Sequence, residues 1–150
     1  MSVRRYAGTF IVAIALAAGG GAVATAAQDR TLPASIGDLG QAKVVEVRDP
    51  SGQALLAGTL TTSKNTPKKT ERTAELTSPS GQKAKGEVEV EIERKDGVAT
   101  KDEIELELED LPVMVTLQLF IDGQSVTSFV TTKAGKAKLE LGRKLTAPGR

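Results

Sequence analysis

The chain has no cysteine, no histidine and no tryptophan, and aromatic residues make up only 3% of it. Without cysteine and histidine it lacks a thiolate nucleophile, a Ser-His-Asp triad and the usual zinc ligands, and packing alone must hold the fold. Beyond residue 30 the only aromatic side chains are Phe120 and Phe129, so sugars or nucleotide bases have little to stack on. We therefore expect a protein that is not an enzyme and does not bind nucleic acid.

A large excess of charge of one sign is also absent. The chain carries 20 Lys and Arg against 19 Asp and Glu, and two of the basic residues, Arg4 and Arg5, lie near the N-terminus. The remainder is close to neutral, so no overall field draws it to nucleic acid or to an anionic membrane.

The N-terminal segment has the layout of a secretory signal peptide. Arg4 and Arg5 precede an apolar run at residues 10–18 (FIVAIALAA), glycines follow at 19–21, and mostly small residues occupy 22–27. We expect residues 1–27 to be removed by cleavage before Ala27 or Gln28, giving a periplasmic or extracellular protein that does not insert into the membrane afterwards. An uncleaved membrane anchor is the alternative, although the apolar run is short for a bilayer-spanning helix.

The rest of the chain is long enough for one domain with its own core. We expect a flexible lead-in at residues 28–41, the domain at 42–142 and a flexible tail at 143–150. Two loose basic clusters are interpreted as a solvated loop and part of that tail: Lys64, Lys68, Lys69 and Arg72, and Arg143, Lys144 and Arg150.

The letters P-S-G-Q occur twice, at residues 50–53 and 79–82, each time between apolar runs. Asp49 or Ser78 precedes the proline, and either side chain can accept a hydrogen bond from the backbone two residues on. Proline presets φ at the first turn position, and glycine accepts the left-handed conformation that follows a type I turn. Both copies are therefore predicted to be β-hairpin turns.

Asp122-Gly123 lies between two alternating runs, which is the strongest short signal for a hairpin. Pairing across this turn predicts one buried set of side chains and puts Phe129 on the opposite face. The buried set is Val115, Leu119, Val126, Val130 and Leu139.

Strands are predicted near residues 43–48, 53–62, 72–77, 82–94, 103–110, 113–121, 125–132 and 136–142. Short strands with turn signals about every 8–12 residues are typical of sandwiches. The fold class predicted is all-β, a single antiparallel β-sandwich of seven to eight strands, immunoglobulin-like or transthyretin-like.

Two acidic runs stand out, EVEVEIE at 87–93 and EIELELE at 103–109. Each puts glutamates on one strand face and apolar residues on the other. A two-residue turn at Asp96-Gly97 would pair core positions with solvent positions, and a three-residue loop would set glutamates opposite glutamates. We therefore expect the two strands on different sheets, each with a solvated glutamate face.

The acidic runs are also the best functional lead. Alternate carboxylates on one strand lie about 7 Å apart, so direct chelation of calcium needs a second strand or a loop. The candidate for a weak calcium site is the connection that holds Asp96, Asp102 and Glu103. No other cofactor is expected.

The last third of the chain carries a recurring pattern. Leu111-Pro112 opens it, Phe120 precedes Ile121-Asp122-Gly123, Phe129 precedes the threonine pair at 131–132, and G-x-A-x-L closes it at 135–139. This segment of about thirty residues resembles small exported bacterial β-sandwich proteins, most of them without an assigned activity. The resemblance implies a fold and export, and it implies no catalytic residues.

Together these features predict an exported, non-enzymatic binding or structural module of the cell envelope, whose partner is another envelope or extracellular protein. One alternative is a calcium-dependent or cation-recognising module that uses the acidic strand faces. Another is a membrane-tethered envelope protein with its leader retained.

Overall fold

The computed structural model describes residues 28–145, with side chains described from Arg30 onward. The predicted signal peptide and the last five residues of the predicted tail lie outside the described residues. Within residues 28–145 no helix has the length and apolarity needed to cross a bilayer. The strands are β1 (Gln28–Thr31), β2 (Val44–Arg48), β3 (Ala54–Thr59), β4 (Thr61–Asn65), β5 (Lys69–Thr77), β6 (Lys85–Lys95), β7 (Val98–Glu109), β8 (Thr116–Ile121), β9 (Gln124–Val130) and β10 (Ala137–Lys144).

All ten strands belong to one sheet, which curls into a half-barrel. The strand order is β1-β10-β7-β6-β5-β3-β2-β8-β9, and β4 also pairs with β5. Neighbours are antiparallel except β1 and β10, which run parallel. The all-β prediction is confirmed, but one continuous sheet stands where we expected two packed sheets. β1 and most of β4 lie outside the predicted strands.

One face of the sheet is apolar and forms the core. Val88 and Val90 of β6, and Ile104 and Leu106 of β7, are buried on it. The loop between β1 and β2 adds Leu32, Ile36 and Leu39 to the same core. Residues 28–41 therefore contain a strand and core side chains, where the sequence predicts a flexible lead-in.

The turns alternate between the two ends of the half-barrel, because strand direction reverses at every connection from β2 onward except at residue 60, where β4 continues in the direction of β3. Residues 49–53, 78–84, 110–115 and 131–136 lie at one end, which we call the upper end. The opposite end, the lower end, carries residues 32–43, 66–68, 96–97 and 122–123.

Both P-S-G-Q segments form the predicted hairpin turns at the upper end. The Asp49 carbonyl accepts a hydrogen bond from the Gly52 amide at 2.9 Å, and the Ser78 carbonyl accepts one from Gly81 at 3.0 Å. Both glycines have positive φ, 93° and 81°. The Asp49 carboxylate also accepts from the Ser51 amide at 2.9 Å, as the turn chemistry predicts.

Two hairpins at the lower end share one irregularity. Asp96-Gly97 and Asp122-Gly123 form two-residue turns with positive φ at all four positions, which is the geometry that matches strand twist. In each hairpin the third residue after the glycine, Thr100 or Val126, has no partner on the opposite strand. This extra residue is a β-bulge, and relative to an unbroken ladder it moves the later side chains of the same strand to the other face.

The Val126 bulge corrects the predicted register of β8 and β9. Beyond the bulge, Leu117 lies opposite Phe129. Phe129 is consequently 2% exposed and Val130 is 50% exposed, the reverse of the prediction. Three other members of the predicted core are buried as expected: Leu119, Val126 and Leu139.

The Thr100 bulge likewise resolves the parity conflict that argued against pairing the two acidic runs. β6 and β7 are neighbours along their whole length, and after the bulge Glu93 pairs with Lys101. The glutamates of both strands then share one face. The expectation that these strands lie on different sheets is wrong. A two-residue turn followed by one bulged residue pairs the strands as a three-residue loop would, with glutamates opposite glutamates.

Arg143 of β10 fixes one part of the loop at residues 32–43. Its side chain pairs with the buried carboxylate of Asp102, with Nε 3.0 Å from Oδ1. The remaining guanidinium donors reach three backbone carbonyls at 2.7–3.0 Å, those of Pro33, Ile36 and Gly37. Arg143, which the sequence places in a flexible tail, therefore holds the loop at residues 32–43 in position.

Arg72 of β5 fixes the other part of that loop. It is 9% exposed, although the sequence suggests a solvated basic loop. Its guanidinium donates to the carbonyl oxygens of Leu39, Ala42 and Leu60. Buried carbonyls that no strand partner reaches are satisfied in this way.

Arg30 connects the two edge strands of the sheet. Its guanidinium donates to the Thr127 hydroxyl at 2.6 Å and to the Ser128 carbonyl. A side chain of β1 thus contacts β9 at the far end of the strand order. Satisfying an edge carbonyl limits unwanted pairing with other chains.

Candidate functional site

The outer face of the sheet carries a block of glutamates, which we call the acidic face. Strand register aligns them in three rows across β5, β6, β7 and β10. The upper row is Glu75, Glu87 and Glu107, the middle row is Glu89, Glu105 and Glu140, and the lower row is Glu71, Glu91 and Glu103. Both acidic runs of the sequence therefore lie on one surface.

Three of these nine glutamates were not included in the acidic runs of the sequence, namely Glu71, Glu75 and Glu140. Each occupies the outward position of an alternating strand, which is the signal available in the sequence. Their place beside the acidic runs depends on strand order, which alternation does not specify.

The rows form a regular array of carboxylates. Neighbouring strands lie about 4.8 Å apart and alternate residues along a strand about 7 Å apart. Like charges directly opposite each other cost roughly 0.2–1 kcal/mol per pair. Burying an apolar side chain on the other face contributes about 1.5–3 kcal/mol, so the core side of the same strands outweighs the repulsion.

Lysines border the acidic face and pair with some of its carboxylates. The pairs are Lys69 with Glu91 (2.8 Å) and Glu71 (3.2 Å), Lys101 with Glu103 (3.0 Å), and Lys138 with Glu107 (3.1 Å). Hydrogen bonding to Glu91 raises the pKa of Lys69. These three lysines pair with four of the nine glutamates, so the face keeps an excess of negative charge.

Glu105 lies at the centre of the acidic face, between Glu89 and Glu140. Burial raises the pKa of its carboxyl above the ordinary value of 4.5, and Glu107 raises it further, against the opposing effect of Lys138. A raised pKa in the folded state means that ionisation of this group disfavours folding. The ionised Glu105 carboxylate therefore lowers the stability of the fold at neutral pH.

Replacing Glu105 with glutamine is expected to stabilise the protein at neutral pH by about 1 kcal/mol, because it removes a carboxylate whose charged form is disfavoured by burial and by the like charge of Glu107. The gain is complete above the folded pKa of Glu105. It shrinks as the pH falls through that pKa toward 4.5, since the wild-type carboxyl then takes up a proton. Urea unfolding of both proteins from neutral pH downward measures the difference.

Glu109→Gln is the matched control, because Glu109 lies on the same strand and face but pairs with Lys85 at 3.6 Å. We expect it to change the free energy of unfolding by less than about 0.5 kcal/mol. Equal stabilisation by the two variants would contradict a repulsion centred on Glu105.

The structure does not bring together the three residues predicted to bind calcium. Asp96 is exposed in the turn between β6 and β7, while Asp102 faces the core at 2% exposure and pairs with Arg143. Glu103 lies on the outer face and pairs with Lys101. Successive strand residues point to opposite faces, so Asp102 and Glu103 cannot chelate one ion. Among residues 28–145 no group of three acidic side chains is arranged to hold a metal.

A pocket of about 310 Å³ lies at the lower end, beside the loop at 32–43. Asp38 and Asp122 are in its lining. The Asp122 carboxylate accepts hydrogen bonds from the Lys43 and Val44 amides at 3.0 and 2.8 Å, and Asp38 accepts one from Gly40 at 2.8 Å. Both carboxylates already accept hydrogen bonds from backbone amides next to them in the fold, so the acidic face is the better candidate for a site.

The resemblance of residues 111–139 to exported β-sandwich proteins stays a prediction. The acidic face is the feature on which a function can be proposed. No protein-family model, curated protein or solved structure matches the chain.

Proposed function

We propose that this protein is an exported, non-catalytic binding module of the cell envelope, and that the acidic face recognises a cationic partner. The observation that carries the proposal is the union of both acidic runs and three further glutamates on one face of the sheet. A basic segment of another envelope or extracellular protein fits such a face.

The spacing of the carboxylates supports an extended basic segment. Side chains that point to one side of an extended peptide repeat at about 7 Å, as do the carboxylates along each strand. Charge complementarity of this kind favours rapid and oriented association more than high affinity. Binding also relieves the repulsion among the glutamates, so a bound cation stabilises the fold.

A purely protective role for the charges explains less. Surface charge discourages edge pairing and aggregation, but mixed signs do so without like-charge repulsion. The acidic face instead concentrates one sign in a chain whose total charge is close to neutral. This segregation is what a site for a cationic ligand requires.

Titration of the full chain with decalysine, followed by calorimetry, tests the proposal. We expect binding at low ionic strength that weakens as salt shortens the screening length to about 8 Å at physiological strength. The double variant Glu89→Gln/Glu105→Gln should weaken binding by about two- to thirtyfold, since each ionic contact at the surface contributes about 0.2–1 kcal/mol and 1.4 kcal/mol is about tenfold.

The matched control is Glu46→Gln/Glu109→Gln, which makes the same change in net charge outside the three rows. Glu46 pairs with Arg48 and Glu109 with Lys85, so their carboxylates already have basic partners. This variant should bind decalysine within about twofold of the wild type. Equal weakening by both double variants would assign binding to net charge and contradict a specific face.

A calcium-dependent module is the second candidate, and it would have to use pairs of glutamates on adjacent strands, which lie about 4.8 Å apart, because no group of three acidic side chains in residues 28–145 is arranged to hold a metal. It predicts a stabilisation of about 2.7 kcal/mol at a calcium concentration one hundred times the dissociation constant. We expect millimolar calcium to leave the melting temperature almost unchanged. A clear rise that Glu89→Gln/Glu105→Gln abolishes would replace the polycation proposal.

A further inference from the structure

The upper end carries an exposed apolar patch, which we call the apolar tip. Among residues 30–145, five large apolar side chains are well exposed, and three of them lie here: Val113 (54%), Met114 (59%) and Val130 (50%). Pro112 and Ala134 beside them are exposed as well. Exposed apolar side chains grouped at one end of the sheet, outside the core, indicate contact with something beyond the domain.

The apolar tip is held rigidly. The buried Thr131 hydroxyl donates to the Pro112 carbonyl at 2.6 Å, and the Leu111 amide donates to the Gly135 carbonyl at 2.9 Å. A Cβ on Gly135 would lie only 2.3 Å from the Leu111 carbonyl oxygen, so the two turns are in direct contact. Met114 has φ of 56°, a conformation that a non-glycine residue adopts only when its surroundings impose it.

The described part of the chain begins at the same end. β1 begins at Gln28, which lies beside Leu139, just after the turn at 131–136 that forms part of the tip. The apolar run occupies residues 10–18. The connection at 19–27 can span at most about 30 Å, so a chain whose apolar run stays in a membrane has its upper end near the lipid surface.

Lysines flank the apolar tip. Lys133 and Lys136 are exposed in the turn at 131–136, and Lys83 is exposed in another turn of the upper end. This end also carries Asp49, Glu109 and Asp110, of which Glu109 pairs with Lys85 at 3.6 Å. Lys83, Lys133 and Lys136 outnumber Asp49 and Asp110, so apolar side chains lie beside a small excess of positive charge, which complements a bilayer surface with anionic headgroups.

We propose that, in the chain that keeps its N-terminal apolar segment, the upper end docks on an anionic lipid surface. Val113 and Met114 enter the interfacial region, and the neighbouring lysines contact the headgroups. Tethering supplies a high local concentration, so a small tip is sufficient for docking. This goes beyond recognition by the acidic face, which lies on the side of the half-barrel and stays open to a partner.

The lack of cysteine allows a site-specific test on the full chain. Val113→Cys is labelled with the environment-sensitive fluorophore NBD and reconstituted into phosphatidylcholine vesicles that contain phosphatidylglycerol. Val98→Cys, a valine 39% exposed in the hairpin at the lower end, is the matched control. We expect a blue-shifted emission at position 113, and quenching by a headgroup nitroxide lipid several times stronger than at position 98.

Equal quenching at the two positions, or a water-like emission at 113, overturns the proposal. Disulfide-linked dimers of the unlabelled Val113→Cys protein after mild air oxidation, together with no lipid quenching of the labelled protein, assign the tip to a second copy of the chain and overturn the proposal as well. In vesicles of phosphatidylcholine alone, or with Lys133→Glu/Lys136→Glu, the excess quenching at 113 should fall. An unchanged excess overturns the part of the proposal that concerns anionic headgroups.

Discussion

Replacing Asp102 with alanine is expected to destabilise the protein by about 3–5 kcal/mol, the usual loss when one partner of a buried ion pair is removed. The Asp102 side chain is 2% exposed and its partner Arg143 is 12% exposed. Without the carboxylate, the Arg143 cation stays in the core with only the backbone carbonyls of the loop at 32–43 to compensate it. The loop and the lower end should therefore loosen together.

Urea unfolding measures this loss, and Glu103→Ala is the control. Glu103 is the next residue of the same strand, but it lies on the outer face and pairs with Lys101. An exposed pair of this kind contributes about 0–1 kcal/mol. Similar effects of the two substitutions would contradict the assignment of Asp102 to the core.

Replacing Leu119 with alanine should cost about 2–5 kcal/mol, the range for a leucine in a close-packed core. Leu119 has no exposed surface in the structure. Leu117, Leu119 and Ile121 alternate along β8 and are all buried, so the facing of Leu119 is the same with or without the Val126 bulge.

Val130→Ala is the discriminating comparison for this register. Without the bulge Val130 would lie in the core, whereas in the structure it is 50% exposed. We expect it to change the free energy of unfolding by less than about 0.5 kcal/mol, as for most surface positions. A loss as large as that of Leu119→Ala in urea unfolding would contradict the bulged register.

Local chemistry made much of the sheet predictable. Asp49-Pro50 and Ser78-Pro79 predict their turns, because proline presets φ and the Asp or Ser side chain accepts a hydrogen bond from the nearby backbone. Alternation then identifies the strands that follow, and eight strands are found near their predicted positions. These signals act within a few residues, so the sequence carries them without reference to the rest of the fold.

The strand order was not predictable in the same way, because it depends on two single residues. Thr100 and Val126 follow Asp-Gly turns at the same distance, and each reverses the facing of the later residues of its own strand relative to an unbroken ladder. Parity arguments assume an unbroken ladder, so they excluded the pairing of β6 with β7 and reversed Phe129 and Val130. A bulge has no distinctive residue requirement at such a position.

The facing of the candidate-site glutamates was predictable from the sequence, but their assembly on one surface was not. The glutamates of the acidic runs face outward as alternation indicates, but their assembly with Glu71, Glu75 and Glu140 requires the strand order. Asp102 was included in the predicted calcium site, because the sequence around it does not show that its carboxylate pairs with a distant arginine. Its arginine lies 41 positions away along the chain.

The first strand of the domain can form only after the last one. In the described residues β1 pairs with β10 alone, so Gln28 finds its place beside Leu139 across most of the chain. Contacts between such remote segments form late, since the ordering of the intervening chain must come first. The Leu32 amide, bonded to the Gly142 carbonyl at 3.0 Å, has no partner until β10 is in place. The segment nearest the N-terminus is therefore expected to become native last, after the ribosome or a translocation channel has released the chain through Lys144.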